Sequence, residues 1–96
     1  MGYFQLIEIR TDDFDAFERL HEQWLADTEG ERAVVQEWIL RDRDRPDTYL
    51  VMVEFPSVEA AARNNDLPAT SRIAAGMAEL AAAPPTFRNL DLVRKD

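Results

Sequence analysis

The sequence contains no cysteine, which removes disulfide staples, zinc–thiolate centres and thiol nucleophiles together. Its three glycines are too few for a glycine-rich phosphate loop or a dinucleotide fingerprint. There is one histidine, His21, so no second imidazole is available for a metal site. The segment "HEQWL" is not a zinc-protease pattern, because its fifth residue is Leu25. No metal and no other cofactor is expected. Long apolar runs are missing as well, so nothing reads as a membrane span. The opening "MGYFQLIEIRTDD" lacks the basic start and apolar stretch of a signal peptide, and Leu6 stands where a myristoylation signal needs Ser or Thr. A cytoplasmic location without a membrane partner is the expectation. Cations are scarce: 11 Lys and Arg stand against 19 Asp and Glu, a formal charge of -8. Nucleic-acid binding needs clustered positive charge, so that partner is not expected either.

Of the 96 residues, 46% are apolar and 31% charged, the balance of a folded domain, and the length suits one domain over residues 1–96. A domain this small buries a modest share of its surface, which favours a partner subunit. "YFQLIEIR" (Tyr3 to Arg10) is short and rich in aromatic and branched residues, as a strand is. From Asp13 the period changes: Phe14, Phe17, Leu20, His21, Trp24 and Leu25 recur at helical spacing. Thr11 or Asp12 is the expected N-cap and Gly30 the exit. "AVVQEWIL" (Ala33 to Leu40) and "TYLVMVEF" (Thr48 to Phe55) read as strands around the solvated loop "RDRDRPD". Ser57 caps a second helical region, "APPT" ends it, and "FRNLDLV" (Phe87 to Val93) is a fourth strand. The order βαββαβ predicts an α+β, ferredoxin-like antiparallel sheet with both helices on one face.

Alternation divides each strand into two faces. One carries Gln5, Ile7 and Ile9; Val34, Gln36, Trp38 and Leu40; Tyr49, Val51, Val53 and Phe55; Phe87, Asn89 and Val93. The other carries Phe4, Leu6, Val35, Ile39, Leu50, Met52, Leu90 and Leu92, with Glu8, Arg10, Glu37, Arg41, Glu54 and Arg88. Both are largely apolar, yet two helices cover only one. The second face therefore calls for a second sheet, most simply in a homodimer burying Leu6, Ile39, Met52, Leu90 and Leu92.

The segments "EIRT", "YLVMVEFPSVEAA", "NNDLPAT" and "FRNLDLV" resemble the dimeric α+β barrel superfamily, in its antibiotic-biosynthesis-monooxygenase-like branch, over nearly the whole chain. The resemblance implies a ligand cleft between the sheet and its own helices, walled by a broken second helix. "NNDLP" is that break, with Asp66 capping the second half, Pro68 in its first turn, and Asn64 and Asn65 at its non-helical angles. The same break also serves simply to bend a helix around a twisted sheet. Haem-degrading members need an asparagine, a tryptophan and a histidine where this chain has Ile9, Phe55 and Arg72, which argues against haem.

The expected catalytic residues are His21, as a base suited to neutral pH, and Arg72, as partner of a phenolate or carboxylate. The structural alternatives are a core histidine with one hydrogen bond and an arginine facing solvent or an acidic neighbour. Trp24, Trp38, Phe55 and Phe87 are the expected aromatic lining, with Gln36, Asn64, Asn65 and Asn89 as polar contacts; large aromatics equally build ordinary cores. The resemblance implies a cofactor-independent monooxygenase, or a cyclase or isomerase, acting on an aromatic or polyketide-like molecule. A non-catalytic ligand-binding or accessory dimer and a purely structural module are the alternatives.

Overall fold

Strand β1 (Tyr3–Arg10) leads into helix α1 (Phe14–Asp27), strands β2 (Gln36–Arg41) and β3 (Thr48–Phe55), helices α2 (Val58–Asn65) and α3 (Pro68–Leu80), and strand β4 (Thr86–Asp91). This is a computed structural model, and it describes residues 2–96. The strands form one antiparallel sheet in the order β2-β3-β1-β4, so the α+β, ferredoxin-like expectation holds, with the second helix split in two. Among the described residues no helix is long and apolar enough to cross a membrane.

Local chemistry sets the ends of α1. Its cap is Asp13, not Thr11 or Asp12: the Asp13 carboxylate accepts the Ala16 N–H at 3.0 Å, while the Thr11 hydroxyl accepts the Asp13 N–H at 3.1 Å. At the other end Thr28 donates both its N–H and its hydroxyl to the Trp24 carbonyl. Arg32 adds a donor to the Leu25 carbonyl at 2.8 Å, a cation where the helix dipole favours one. Gly30 then takes φ +82°, which other residues rarely adopt, and turns the chain. In the loop before β3, Asp42 accepts the Asp44 and Arg45 N–H groups. The Asp44 bond foremost holds its carboxyl below the usual carboxylate range.

The break between α2 and α3 is narrower than the sequence suggests. Asn64 and Asn65 complete the last turn of α2, and only Asp66 and Leu67 lie outside helix. Asp66 is not the cap of α3; it closes α2, its N–H reaching the Ala62 carbonyl at 3.1 Å. Leu67 is the N-cap, with φ -65° and ψ 133° and no side-chain bond. The cause is Pro68, whose ring pushes the preceding residue out of the helical region and then starts α3 at a position that needs no N–H. Pro68→Ala should therefore lower stability by less than about 1 kcal/mol, by loosening the unfolded chain. Urea denaturation of both proteins checks this. A gain near the ~3 kcal/mol cost of an interior proline would mean that Pro68 strains the fold.

The strand β2 runs out of phase with the sequence reading. Gln36 is the register partner of Glu54, and the Val35 N–H also bonds the Glu54 carbonyl at 2.8 Å. Two consecutive residues thus stand against one, as in a β-bulge, and the alternation slips by one. Val34 still packs on the core, but Glu37, Ile39 and Arg41 share the phase of Val53, Val51 and Tyr49, beneath the helices. Gln36, Trp38 and Leu40 share the other phase, with Met52 and Leu50. The expected placement of Gln36, Trp38 and Leu40 on the helix side, and of Ile39, Glu37 and Arg41 on the open side, is thereby reversed.

The core lies between the helices and one sheet face, where Ile9, Phe17, Val51, Val53, Phe55, Ala61 and Met77 are buried and Ile39 packs beside them. The helices α1 and α3 approach so closely that a Cβ on Gly76 would come within 2.9 Å of the Leu20 methyl groups. The opposite sheet face carries no helix. Phe4, Leu6, Leu50 and Met52 are half-buried there, and Trp38 (37% exposed), Leu40 (45%) and Leu90 (40%) stand open. The Phe4 and Trp38 rings stack across β3 at 6.5 Å.

Candidate functional site

One face of α1 sets the chemistry of a small cavity. Phe17, His21 and Trp24 recur at four- and three-residue spacing, so they form one stripe aimed at the sheet. The His21 ring lies 6.4 Å from Phe17, nearly parallel to it, and 5.9 Å from Trp24. Below them β3 contributes Val51, Val53 and Phe55, β1 contributes Gln5 and Ile7, and β2 contributes Glu37. The end of α2 and the start of α3 close the side with Asn64, Asn65, Thr70, Ile73 and Met77. The space is about 80 Å³ and partly open. A groove of about 290 Å³ adjoins it, shares Gln5, Ile7, Asn65, Thr70, Ile73 and Met77, and extends along α3 to Pro85 and Phe87.

The central contact is a hydrogen bond between His21 Nε2 and Glu37 Oε1. The side chains are 15% and 16% exposed, largely withdrawn from water yet reachable. An ionised carboxylate can only accept, so Nε2 carries the proton, and in the neutral ring the lone pair is on Nδ1. Nδ1 has no hydrogen-bond partner among the described residues, and no buried side-chain polar atom among them is orphaned. A carboxylate fixing the tautomer and orientation of an imidazole, with the other nitrogen free, is a general-base arrangement.

A second polar chain holds the wall in place. The Trp24 Nε1–H donates to Thr70 Oγ1 at 3.0 Å, and the Thr70 hydroxyl donates to the Asn64 main-chain carbonyl at 2.8 Å. The Asn64 side-chain oxygen accepts the Ala33 N–H at 3.3 Å, tying the break to the segment that enters β2. Asn64 is buried, 4% exposed, and so the helix break, α1 and the bulged strand are joined through one asparagine.

Several residues expected at the site do converge: His21, Trp24, Phe55, Asn64 and Asn65 line the cavity, and Phe87, 60% exposed, borders the groove. Asn89 is exposed beside this floor, its side-chain oxygen accepting from Gln5 Nε2 at 3.4 Å. Four expected residues do not line either space, Asn89 among them, which touches the lining only through Gln5. Gln36 and Trp38 stand on the opposite face because of the bulge, and the exposed Arg72 reaches Asp27 at 3.4 Å. Glu37 escaped the sequence reading for the same reason that Trp38 was misplaced. The available signal was His21 itself, a lone imidazole on an apolar stripe in need of a polar partner.

No protein-family model matches the chain, and no curated protein matches it significantly. Solved structures do. A Mycobacterium tuberculosis protein, Rv0793, superposes with TM-score 0.83 at 14% identity, over 99% of this chain and 98% of that one. SnoaB, a cofactor-independent oxygenase from Streptomyces nogalater, gives 0.79 at 16% identity, over 98% and 94%. An antibiotic biosynthesis monooxygenase gives 0.78 at 15%, over 98% and 100%. The chain therefore has the fold of the antibiotic-biosynthesis-monooxygenase-like proteins, over essentially its full length.

Proposed function

We propose that this chain is a cofactor-independent monooxygenase that deprotonates an electron-rich aromatic or polyketide-like hydroxyarene and lets the resulting anion react with dioxygen. The observation that carries this reading is the His21–Glu37 pair beside an apolar cavity. A fold shared with a cofactor-independent oxygenase supports it. His21 Nδ1 takes the substrate proton, and Glu37 stabilises the imidazolium that forms. Phe17, Trp24 and Phe55 hold the ring system and keep water away from the anion. The anion passes an electron to dioxygen, and the two radicals combine at a ring carbon. The His21 imidazolium returns its proton to the peroxide anion, and loss of water from the resulting hydroperoxide leaves a carbonyl. In balance, the ring CH₂ of the substrate's keto tautomer and O₂ become C=O and H₂O, with one oxygen atom in each product.

The protein acts as a homodimer in this reading, its bare sheet faces packed together over Phe4, Leu6, Trp38, Leu40, Met52 and Leu90. So large an apolar surface is rarely left in water.

The test is oxygen uptake. The purified chain with an anthrone should consume one O₂ per quinone formed, well above the spontaneous rate. Anthrone binding without oxygen consumption would assign the cavity to ligand capture instead.

A further inference from the structure

The charge around the cavity limits what can enter it. Neither the cavity nor the adjoining groove is lined by any Arg or Lys among the described residues, and Glu37 is the sole carboxylate on either wall. Of the arginines on the bordering segments, Arg32 bonds the Leu25 carbonyl and the Thr28 hydroxyl and Arg72 bonds Asp27, while Arg19, Arg63 and Arg88 are exposed and line neither space. Arg32 lies 5.6 Å from the centre of the Trp24 ring, and it is not part of the lining. The pair itself offers no compensation. With Glu37 ionised, its net charge is negative when His21 is neutral and zero when His21 is protonated. The formal charge of -8 on the whole chain works in the same direction.

We infer that the cavity accepts hydroxyarenes bearing no anionic group, and that Glu37 is the residue that rejects their carboxylated counterparts. This rests on the proposed reading of the cavity as a hydroxyarene site, and it adds the class of substrate. A carboxylate entering the groove would lose part of its hydration, meet no cation, and lie close to a like charge in a poorly screened space. A hydroxyl meets none of these costs. It donates to His21 Nδ1, and amide groups from Gln5 and Asn65 stand on the lining for any further neutral oxygen. The substrate would therefore arrive as a neutral phenol, ketone or ester. Any free acid in its precursor would have been esterified, reduced or removed by an earlier reaction.

Three probes on one ring system test this by titration calorimetry at neutral pH: 2-naphthol, 6-hydroxy-2-naphthoate and the methyl ester of that acid. The ester controls for size. The naphthol and the ester should bind within a few-fold of each other, and the acid about tenfold more weakly or worse. Glu37→Gln keeps an acceptor for His21 Nε2–H but removes the charge, and it should bring the acid close to the ester. Gln5→Arg, which places a cation where cavity and groove meet, should also recover acid binding, and it serves if Glu37→Gln fails to fold. Equal binding of acid and ester by the parent chain, or a gap unchanged in the folded variants, overturns the inference. Binding of none of the three overturns it together with the proposed function. The expected ranking without oxygen uptake on an anthrone removes the oxygenase reading alone.

Discussion

Met52→Asp should turn the proposed dimer into a folded monomer. Met52 lies in β3 on the face without helices, opposite Leu6 on one side and Trp38 on the other. Within one chain it is only half-buried, so an aspartate there still reaches water and the core on the other face is undisturbed. In a symmetric dimer the same position is covered, and a two-fold axis brings the substitution in twice. Leaving a charge buried and unpaired costs about 3–5 kcal/mol, so the dissociation constant should rise by roughly a thousandfold or more. Light scattering at micromolar concentration reads the mass, and circular dichroism reads the fold. Val51→Asp makes the contrast: Val51, the neighbour of Met52 in β3, is buried in the core beneath the helices at 4% exposure, so that variant should unfold instead of dissociating. A parent chain that is already monomeric at micromolar concentration would sink the dimer.

The second large effect belongs to His21. In the proposed reaction His21→Ala removes the proton acceptor but leaves Phe17, Trp24, Phe55 and the wall of α3 in place. General-base contributions are typically about 10²–10⁴-fold, so kcat should fall by that range while ligand affinity changes only a few-fold. Arg72→Ala should change neither, because its guanidinium lies outside the lining and pairs with Asp27 on the surface. An unchanged kcat in His21→Ala would make the imidazole a structural group and remove it as the base.

Most of the fold was legible because it rests on periods. The change from two to about four residues at Asp13, the caps around it, and the prolines after Ala83 specify the order of elements with little competition. The cavity wall was legible too, since "NNDLP" cannot continue a helix undisturbed. What the sequence concealed was a phase. On β2, Gln36, Trp38 and Leu40 make as plausible an inward set as Glu37, Ile39 and Arg41, because each mixes polar and apolar groups. Only the pairing with Glu54 decides between them, and a register contact is not written in the strand's own composition. Misreading that phase exchanged Trp38 for Glu37 at the site and Ile39 for Trp38 on the open face. Asp66 was misassigned for a more local reason. It has the side chain of an N-cap, but Pro68 dictates the conformation of Leu67 and leaves Asp66 one residue too early.

The doubled pairing of Val35 and Gln36 against Glu54 also bears on how such a protein can change over generations. Substitutions along β2 alter one face at a time. Loss of the single codon for Val35 would instead turn the whole strand over, carrying Trp38 under the helices and Glu37 to the outside. The lining of the cavity and the open sheet face would be rewritten in one event. An insertion or deletion at this junction is thus a larger change than any substitution along the strand.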